Sequence, residues 1–411
     1  MPASGPSTGP AGGPSTGPST GPAPVGGRGA VPALWAAGFT TAFGAHAIAA
    51  GFGAESGGLG ISFAMLGLLL ALYDVSEVVL KPVFGSLSDR IGVKPVIVGG
   101  LALFAAASAL GSVWGTTVGL AVARLAQGAA ASAFSPASSA GVARLSDKGS
   151  LGRAFGSYGS WKGLGYALGP VLGAGLIALG GLPALFVALT VLSLAVLVWV
   201  ILALPALPPT PRPRSTARDL VRELTRPGFL QPTASLAVTT RTLGVAVGFL
   251  PRVGRDLGLG TGTAMLAVTA LAVASSLSQP WVGRRHDAGR LSGRAGTAAG
   301  LVAIAAGVLL LALVPHVMAV FGAAALIGVG IGTVTPLAFA RLAGSAPEGA
   351  LGRTLGSAEV GRELGDAGGP LLVGLLATAA GLPVALSALA GVVVVQAAGA
   401  ALTDGYRPHK P

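Results

Sequence analysis

Cysteine is missing altogether from this chain, charge is scarce and aromatic side chains are few. Without thiols there are no disulfides, no thiol catalysis and no thiolate metal sites. Four histidines, far apart in sequence, offer no metal-ligand spacing. None of the five lysines follows a glycine, so the chain holds no nucleotide-binding P-loop. Neither a metal nor a cofactor is therefore expected, and no His metal motif or nucleophile elbow supports an intramembrane hydrolase. Charged residues make up only 10% of the 411, where a soluble domain carries about 25%.

What is abundant is apolar. Hydrophobic residues reach 52% and the mean hydropathy is +0.76. That excess is too large for one soluble core and points to a membrane protein. The 67 glycines fit helices packed closely in lipid, where small residues let backbones approach. A spanning helix needs roughly 20 mostly apolar residues. Such runs fall near 31–53, 60–82, 95–114, 116–139, 153–178 and 182–204, then near 231–251, 261–282, 295–315, 317–340, 353–379 and 383–403. Lipid offers backbone groups no outside partner, so each run reads as a helix.

The net charge of +12 follows from topology rather than from nucleic-acid binding. Of 26 Lys and Arg, nineteen fall in connections on one side, among them Arg90, Lys94, Arg144, Arg153, Arg284, Arg285, Arg290 and Arg294. The opposite side holds Arg252 and Arg255, and five lie in or at the ends of spans. The positive-inside rule places both termini in the cytoplasm, as twelve crossings require. High Ala, Gly and Arg usage suggests a bacterial source, hence the inner (cell) membrane. Residues 1–30 repeat PSTG and read as a disordered cytoplasmic tail, with a second tail at 404–411. Residues 205–230 are proline-rich, then alternate charge at helical spacing, and read as a cytoplasmic linker with a short surface helix.

The chain also repeats itself. LGRAFGSYGSWKGLGYALGP at 151–170 matches LGRTLGSAEVGRELGDAGGP at 351–370 in ten of twenty positions. The offset of 200 extends to Gly128 and Gly328, Pro136 and Pro336, and the Gly-Leu-Pro runs at 181–183 and 381–383. An offset of 198 relates Pro82, Gly85 and Asp89 to Pro280, Gly283 and Asp287. The expected fold is an all-α integral membrane protein with 12 transmembrane helices in two six-helix pseudo-repeat halves, 31–204 and 231–403. Parallel repeats of this kind place a binding site between the halves, near the bilayer midplane.

Three segments make the expectation specific. GSLSDRIGVK at 85–94 resembles the signature loop between helices 2 and 3 of the major facilitator superfamily. LAVARLAQG at 120–128 resembles its fourth-helix motif, and GLGYALGPVLG at 163–173 its fifth-helix antiporter motif. Val93 stands where the loop motif has a basic residue, and Ala174 replaces the last glycine of the antiporter motif. The resemblance covers residues 31–403. It implies gating roles for Gly85, Asp89, Arg90, Gly92, Gly169 and Pro170. It also implies that Asp89 docks near the start of helix 11, where the dipole and free N–H groups favour a carboxylate. In the resembled fold helices 2 and 11 meet at one seam and helices 5 and 8 at the other.

The two copies differ in their ionisable residues. Span 11 carries Glu359, Arg362, Glu363 and Asp366 on one face, where span 5 carries Tyr158, Trp161, Lys162 and Tyr166. Span 2 carries Asp74, Glu77 and Lys81 on one face, and Arg124, Arg241 and His46 sit singly in spans 4, 7 and 1. Each charge at the bilayer centre costs about 2.5–3.5 kcal/mol on insertion scales, so such groups need pairing or water. Five acids facing few bases predict that at least one carboxyl keeps a proton at neutral pH. Taken with the resemblance to the antiporter motif at 163–173, this implies proton-coupled export of a small organic molecule by alternating access, with no enzymatic activity. Asp74, Glu77, Glu363 and Asp366 are the candidate proton carriers, assisted by Arg124. Tyr73, Tyr158, Trp161, Lys162, Tyr166, Arg241, Glu359 and Arg362 are candidates to contact substrate. Proton-coupled uptake is the rival reading and a non-transporting receptor or scaffold a distant one. A monomer in the lipid bilayer, with substrate and protons as its other partners, is expected.

Overall fold

The structure, a computed structural model, describes residues 29–55, 63–209 and 225–402. Among the described residues all regular structure is helical. In chain order the helices are α1 (Ala30–Glu55), α2 (Phe63–Ile91), α3 (Val93–Val113) and α4 (Thr117–Arg144). A 3₁₀ turn at Lys148–Ser150 leads into the helical stretch Leu151–Ala203. That stretch breaks at Gly180 (φ −165°, ψ 28°) and Gly181 (φ 66°, ψ −167°), so 151–179 is labelled α5 and 182–203 α6. The second half comprises α7 (Pro227–Asp256), α8 (Thr261–Asp287), α9 (Gly293–Leu313), α10 (Val317–Ser345), α11 (Leu351–Ala380) and α12 (Leu382–Leu402). A left-handed φ favours glycine, and the pseudo-equivalent α11–α12 turn uses Gly381 at φ 87°. The repeat is thus visible down to one backbone angle.

Seven of these helical stretches are long and apolar enough to cross a membrane by length and composition, the double stretch Leu151–Ala203 among them. The helices α4 and α11 fall short because they carry the ionisable and hydroxyl side chains described below. Several helices outrun their apolar runs. The sequence ends span 2 near 82 and span 8 near 282, but α2 continues to Ile91 and α8 to Asp287. These extra turns mix charged and small polar residues with apolar ones and lie at one end of the bundle, where a hydropathy reading loses them. This end, marked by Arg90, Arg284, Arg285, Arg290 and Arg294, is called the basic end here. The helix α7 starts at Pro227, so the last residues expected in the linker are helical; proline suits a first turn because its missing N–H has no partner there. The short surface helix expected in the linker, and both tails, lie outside the described residues.

Within each half, glycine stripes set the spacing. Gly165, Gly169 and Gly173 of α5 lie against Phe39, Phe43, His46 and Ala47 of α1. Their counterparts Gly365 and Gly369 of α11 lie against Ala237 and Arg241 of α7. The backbone stays helical through Gly169-Pro170, and the break in this stretch comes ten residues later. One apolar core fills the first half and reaches into the second at the basic end, where Phe155 stacks on Phe339 at 5.5 Å. A second core fills the rest of the second half.

Candidate functional site

The two halves meet along α2 against α11 and α5 against α8. At the basic end both seams close in the same way. The Asp89 carboxylate accepts from the N–H groups of Gly352 (2.9 Å) and Arg353 (3.0 Å), the first turn of α11. The Asp287 carboxylate accepts from the N–H groups of Gly152 (2.8 Å) and Arg153 (2.7 Å), the first turn of α5. Each carboxylate satisfies free helix N–H groups and sits at the positive end of a helix dipole. Close approach requires glycine: a Cβ on Gly85 would run into the Gly352 carbonyl, and one on Gly283 into the Gly152 carbonyl. Gly92, at φ 96°, turns the chain from α2 into α3 just past Asp89. Arg90, in the last turn of α2, is exposed. Sequence pairing found Asp287 only as the match of Asp89; its equal role follows once α5 and α8 are seen to touch.

Farther from the basic end the seams diverge in chemistry. Between α5 and α8 the contacts are neutral. Gln279 lies against Gly156 and Gly159, Ser276 against Gly163, and the Ser160 hydroxyl donates to the Ser276 carbonyl at 2.7 Å. Between α2 and α11 the same pseudo-equivalent positions carry ions. Lys81 of α2 lies 2.7 Å from Glu77, 2.8 Å from Glu363 and 3.4 Å from Glu359. Ser135 and Ser139 of α4 donate to the two oxygens of Glu359 at 2.9 and 3.1 Å. Lys162 of α5 lies 3.9 Å from Glu359 and donates to the Ser135 hydroxyl at 3.2 Å. Arg362 donates to Tyr166 (2.7 Å) and lies 3.3 Å from Glu363. Its carbonyl accepts from Thr240 of α7 at 2.7 Å. Tyr158 donates to the Ser135 carbonyl at 3.4 Å.

Three carboxylates and three cations are thereby held between the halves, and Lys81 and Glu359 have no solvent-accessible surface. Removing ions from water costs several kcal/mol each, which pairing of this density must offset. The expectation of many acids facing few bases needs correction here. Lys81, placed by the sequence on one face of span 2 with Asp74 and Glu77, stands at the centre, and Lys162 reaches across from α5. Asp74 and Asp366 are the acids left over. Among the described residues neither forms an ion pair. Asp74 is exposed, one turn from Glu77 on the side away from the basic end, and Asp366 is half-buried beside Gly244 of α7.

Several candidates for substrate contact also change place. Glu359 is fully enclosed by protein partners. Tyr73 is buried under the Arg124 guanidinium, 4.3 Å from its ring centroid. Arg124 itself is 2% exposed and donates to the Leu69 carbonyl and to Gln127. Trp161, 44% exposed, is turned to the outer face of α5 with Leu168, Val171 and Leu172, and stacks on Trp35. One residue along a helix is a turn of about 100°, which separates it from its buried neighbour Lys162. Tyr166 and Arg241 are half-buried. Tyr166 meets the edge of the His46 ring at 4.4 Å, and Arg241 lies against Gly369. Among the described residues no group of His, Cys, Asp and Glu is arranged to hold a metal ion.

Comparison with known proteins agrees with this architecture. A family model described as "Major Facilitator Superfamily" matches residues 34–245 and again residues 233–411, once per half. The inner membrane transport protein YajR of Escherichia coli (strain K12) is 37% identical over 152 residues, which cover 34% of this chain and 32% of that protein's length. Among solved structures, the human organic anion transporter MFSD10 (TETRAN) superposes with a TM-score of 0.77 at 17% identity, over 91% of this chain and 99% of that one. The E. coli fucose:proton symporter FucP superposes with a TM-score of 0.73 at 16% identity, over 91% of this chain and 98% of that one. With both halves matched by the family model and the twelve-helix fold shared across nearly the whole chain, the protein belongs to the major facilitator superfamily.

Proposed function

We propose that the protein is a secondary transporter that exports a small organic molecule in exchange for protons. The observation that carries this reading is the buried α2–α11 ion network. It joins the two halves through Lys81, Glu359 and Glu363, and its acids stand next to Asp74 and Asp366 on the side away from the basic end. By the positive-inside rule the basic end is cytoplasmic. The state described, closed there by Asp89 and Asp287, is then the outward-facing one. In it Lys81, Lys162 and Arg362 pair with Glu77, Glu359 and Glu363, so a proton arriving from outside competes with a lysine or arginine for a carboxylate. Protonation removes an interhelical ion pair and weakens the closed seam. The halves then rock, the network opens to the cytoplasm, the proton leaves, and reclosing restores the pairs. Asp74 and Asp366 are the outer proton relay, with Arg124 setting the field beside Tyr73. Half-buried Tyr166 and Arg241 are the candidates that hold substrate last before its release in this state.

Proteoliposomes with an imposed pH gradient and a panel of radiolabelled organic solutes test the proposal. Wild type drives at least one solute against its concentration gradient, and the flux disappears when an ionophore collapses the gradient. Asp74→Asn and Glu363→Gln each remove most of that gradient-driven flux while leaving passive exchange. Unchanged gradient dependence in both variants contradicts proton coupling through this seam. Flux of solute in the same direction as protons assigns the network to symport instead.

A further inference from the structure

A groove of about 160 Å³ opens on the outer surface between α2 and α3, lined only by apolar side chains and glycine. Phe84, Leu87 and Ile91 form one wall, and Val96, Gly99 and Leu103 the other. From Pro95 to Leu103 the α3 wall rises about 12 Å at 1.5 Å per residue, so the groove runs from the basic end into the hydrocarbon region. Gly99 makes the space: a Cβ built there meets nothing within 4 Å. At the mouth stand two cations. Arg90 is exposed, and Lys94 gives one ammonium bond to the Ile201 carbonyl at 2.8 Å. Asp89, the nearest acid, is turned away into α11.

The second half does not line the equivalent place with apolar side chains alone. At the offset of 198, Val83 and Leu87 of α2 correspond to Trp281 and Arg285 of α8. There the guanidinium stacks 4.4 Å over the indole, so the second half presents a ring and a cation where the first presents an apolar trough.

We infer that this groove binds one acyl chain of an anionic phospholipid, whose phosphate lies against Arg90 and Lys94. Three observations select that occupant. The trough is apolar along its length and membrane-embedded. Its size matches a hydrocarbon segment, since an apolar void of about 150 Å³ takes a benzene-sized guest. Among the described residues the charges at its mouth, Arg90 and Lys94, are positive and sit at headgroup depth, where anionic lipid is attracted to Lys and Arg. The same α2 turns that line the groove flank Ser88 and Asp89, so a seated chain braces the helix that carries the closing carboxylate. The inference does not depend on proton coupling or on the direction of transport.

The test is native mass spectrometry of the full-length protein released from micelles containing equimolar phosphatidylglycerol and phosphatidylethanolamine with identical chains. Wild type retains one phosphatidylglycerol, several-fold in preference to phosphatidylethanolamine. Gly99→Leu, whose Cβ meets nothing within 4 Å, puts its branched end into the trough and loses that lipid. Arg90→Gln keeps chain binding and loses the headgroup preference. Equal retention of the two lipids by wild type overturns the inference, as does undiminished phosphatidylglycerol on Gly99→Leu. Intact lipid binding elsewhere on Gly99→Leu, seen as the remaining weakly held adducts, shows that the variant is folded.

Discussion

A single ammonium, that of Lys81, lies within 3.4 Å of three carboxylates and touches no solvent. It explains how the acidic faces of α2 and α11 can lie side by side. Removing one partner of a buried ion pair costs about 3–5 kcal/mol, because the charge left behind is uncompensated. Lys81→Met is therefore expected to lower unfolding stability in detergent by about that amount, and Lys81→Met combined with Glu363→Gln by clearly less. A stability within about 0.5 kcal/mol of wild type for the single variant contradicts the central placement of Lys81. The acids themselves were legible in the sequence because charge inside an apolar span stands out. Their partners were not. Lys81 and Glu363 are 282 positions apart, and only the seam geometry brings them to 2.8 Å. The exposed setting of Trp161 was not legible for a related reason. Spacing defines which residues share a face, but not which way that face points, and one residue separates the chamber side of α5 from its outer side.

At the scale of helices, two carboxylates do the closing, and each caps a helix of the opposite half. The contribution of a charge at a helix end is typically 0.3–1 kcal/mol and up to about 2 kcal/mol when partly buried. Since 1.4 kcal/mol is a factor of ten, Asp89→Asn and Asp287→Asn are each expected to shift the closed-to-open ratio at the basic end by roughly 2- to 30-fold. The two together should shift it further. The absence of native cysteine makes the measurement direct: a lone cysteine at Ser139, buried in the closed state, becomes reactive to a thiol reagent only when the basic end opens. Equal labelling rates in wild type and the double variant would show that the caps do not hold the seams. Much at this scale was readable beforehand. Apolar runs gave the twelve helices, and the internal repeat gave their pairing into halves. The helix ends at the basic end were missed because charged and small polar residues interrupt the hydropathy signal there, as at 85–90 of α2 and 283–287 of α8.

For the whole molecule, the two seams are alike at the basic end and unlike deeper in. One is built from glycine, serine and glutamine, the other from lysine, arginine and glutamate, at pseudo-equivalent positions. A symmetric repeat has thus kept its closing device in duplicate and confined its ions to one side. As proposed above, ionised carboxylates in that network hold the halves together and protons release them. Acidification should remove the negative charge of Glu77, Glu359 and Glu363, free Lys81, Lys162 and Arg362, and so favour opening at the basic end. Spin labels on cysteines placed at the exposed positions Asp147 and Arg290, one on each half at that end, report it as a distance. The account predicts a short distance at alkaline pH and a growing long-distance population as pH falls, with the pH response lost in Glu363→Gln. Distance distributions that stay the same across that pH range in the wild-type background would contradict it.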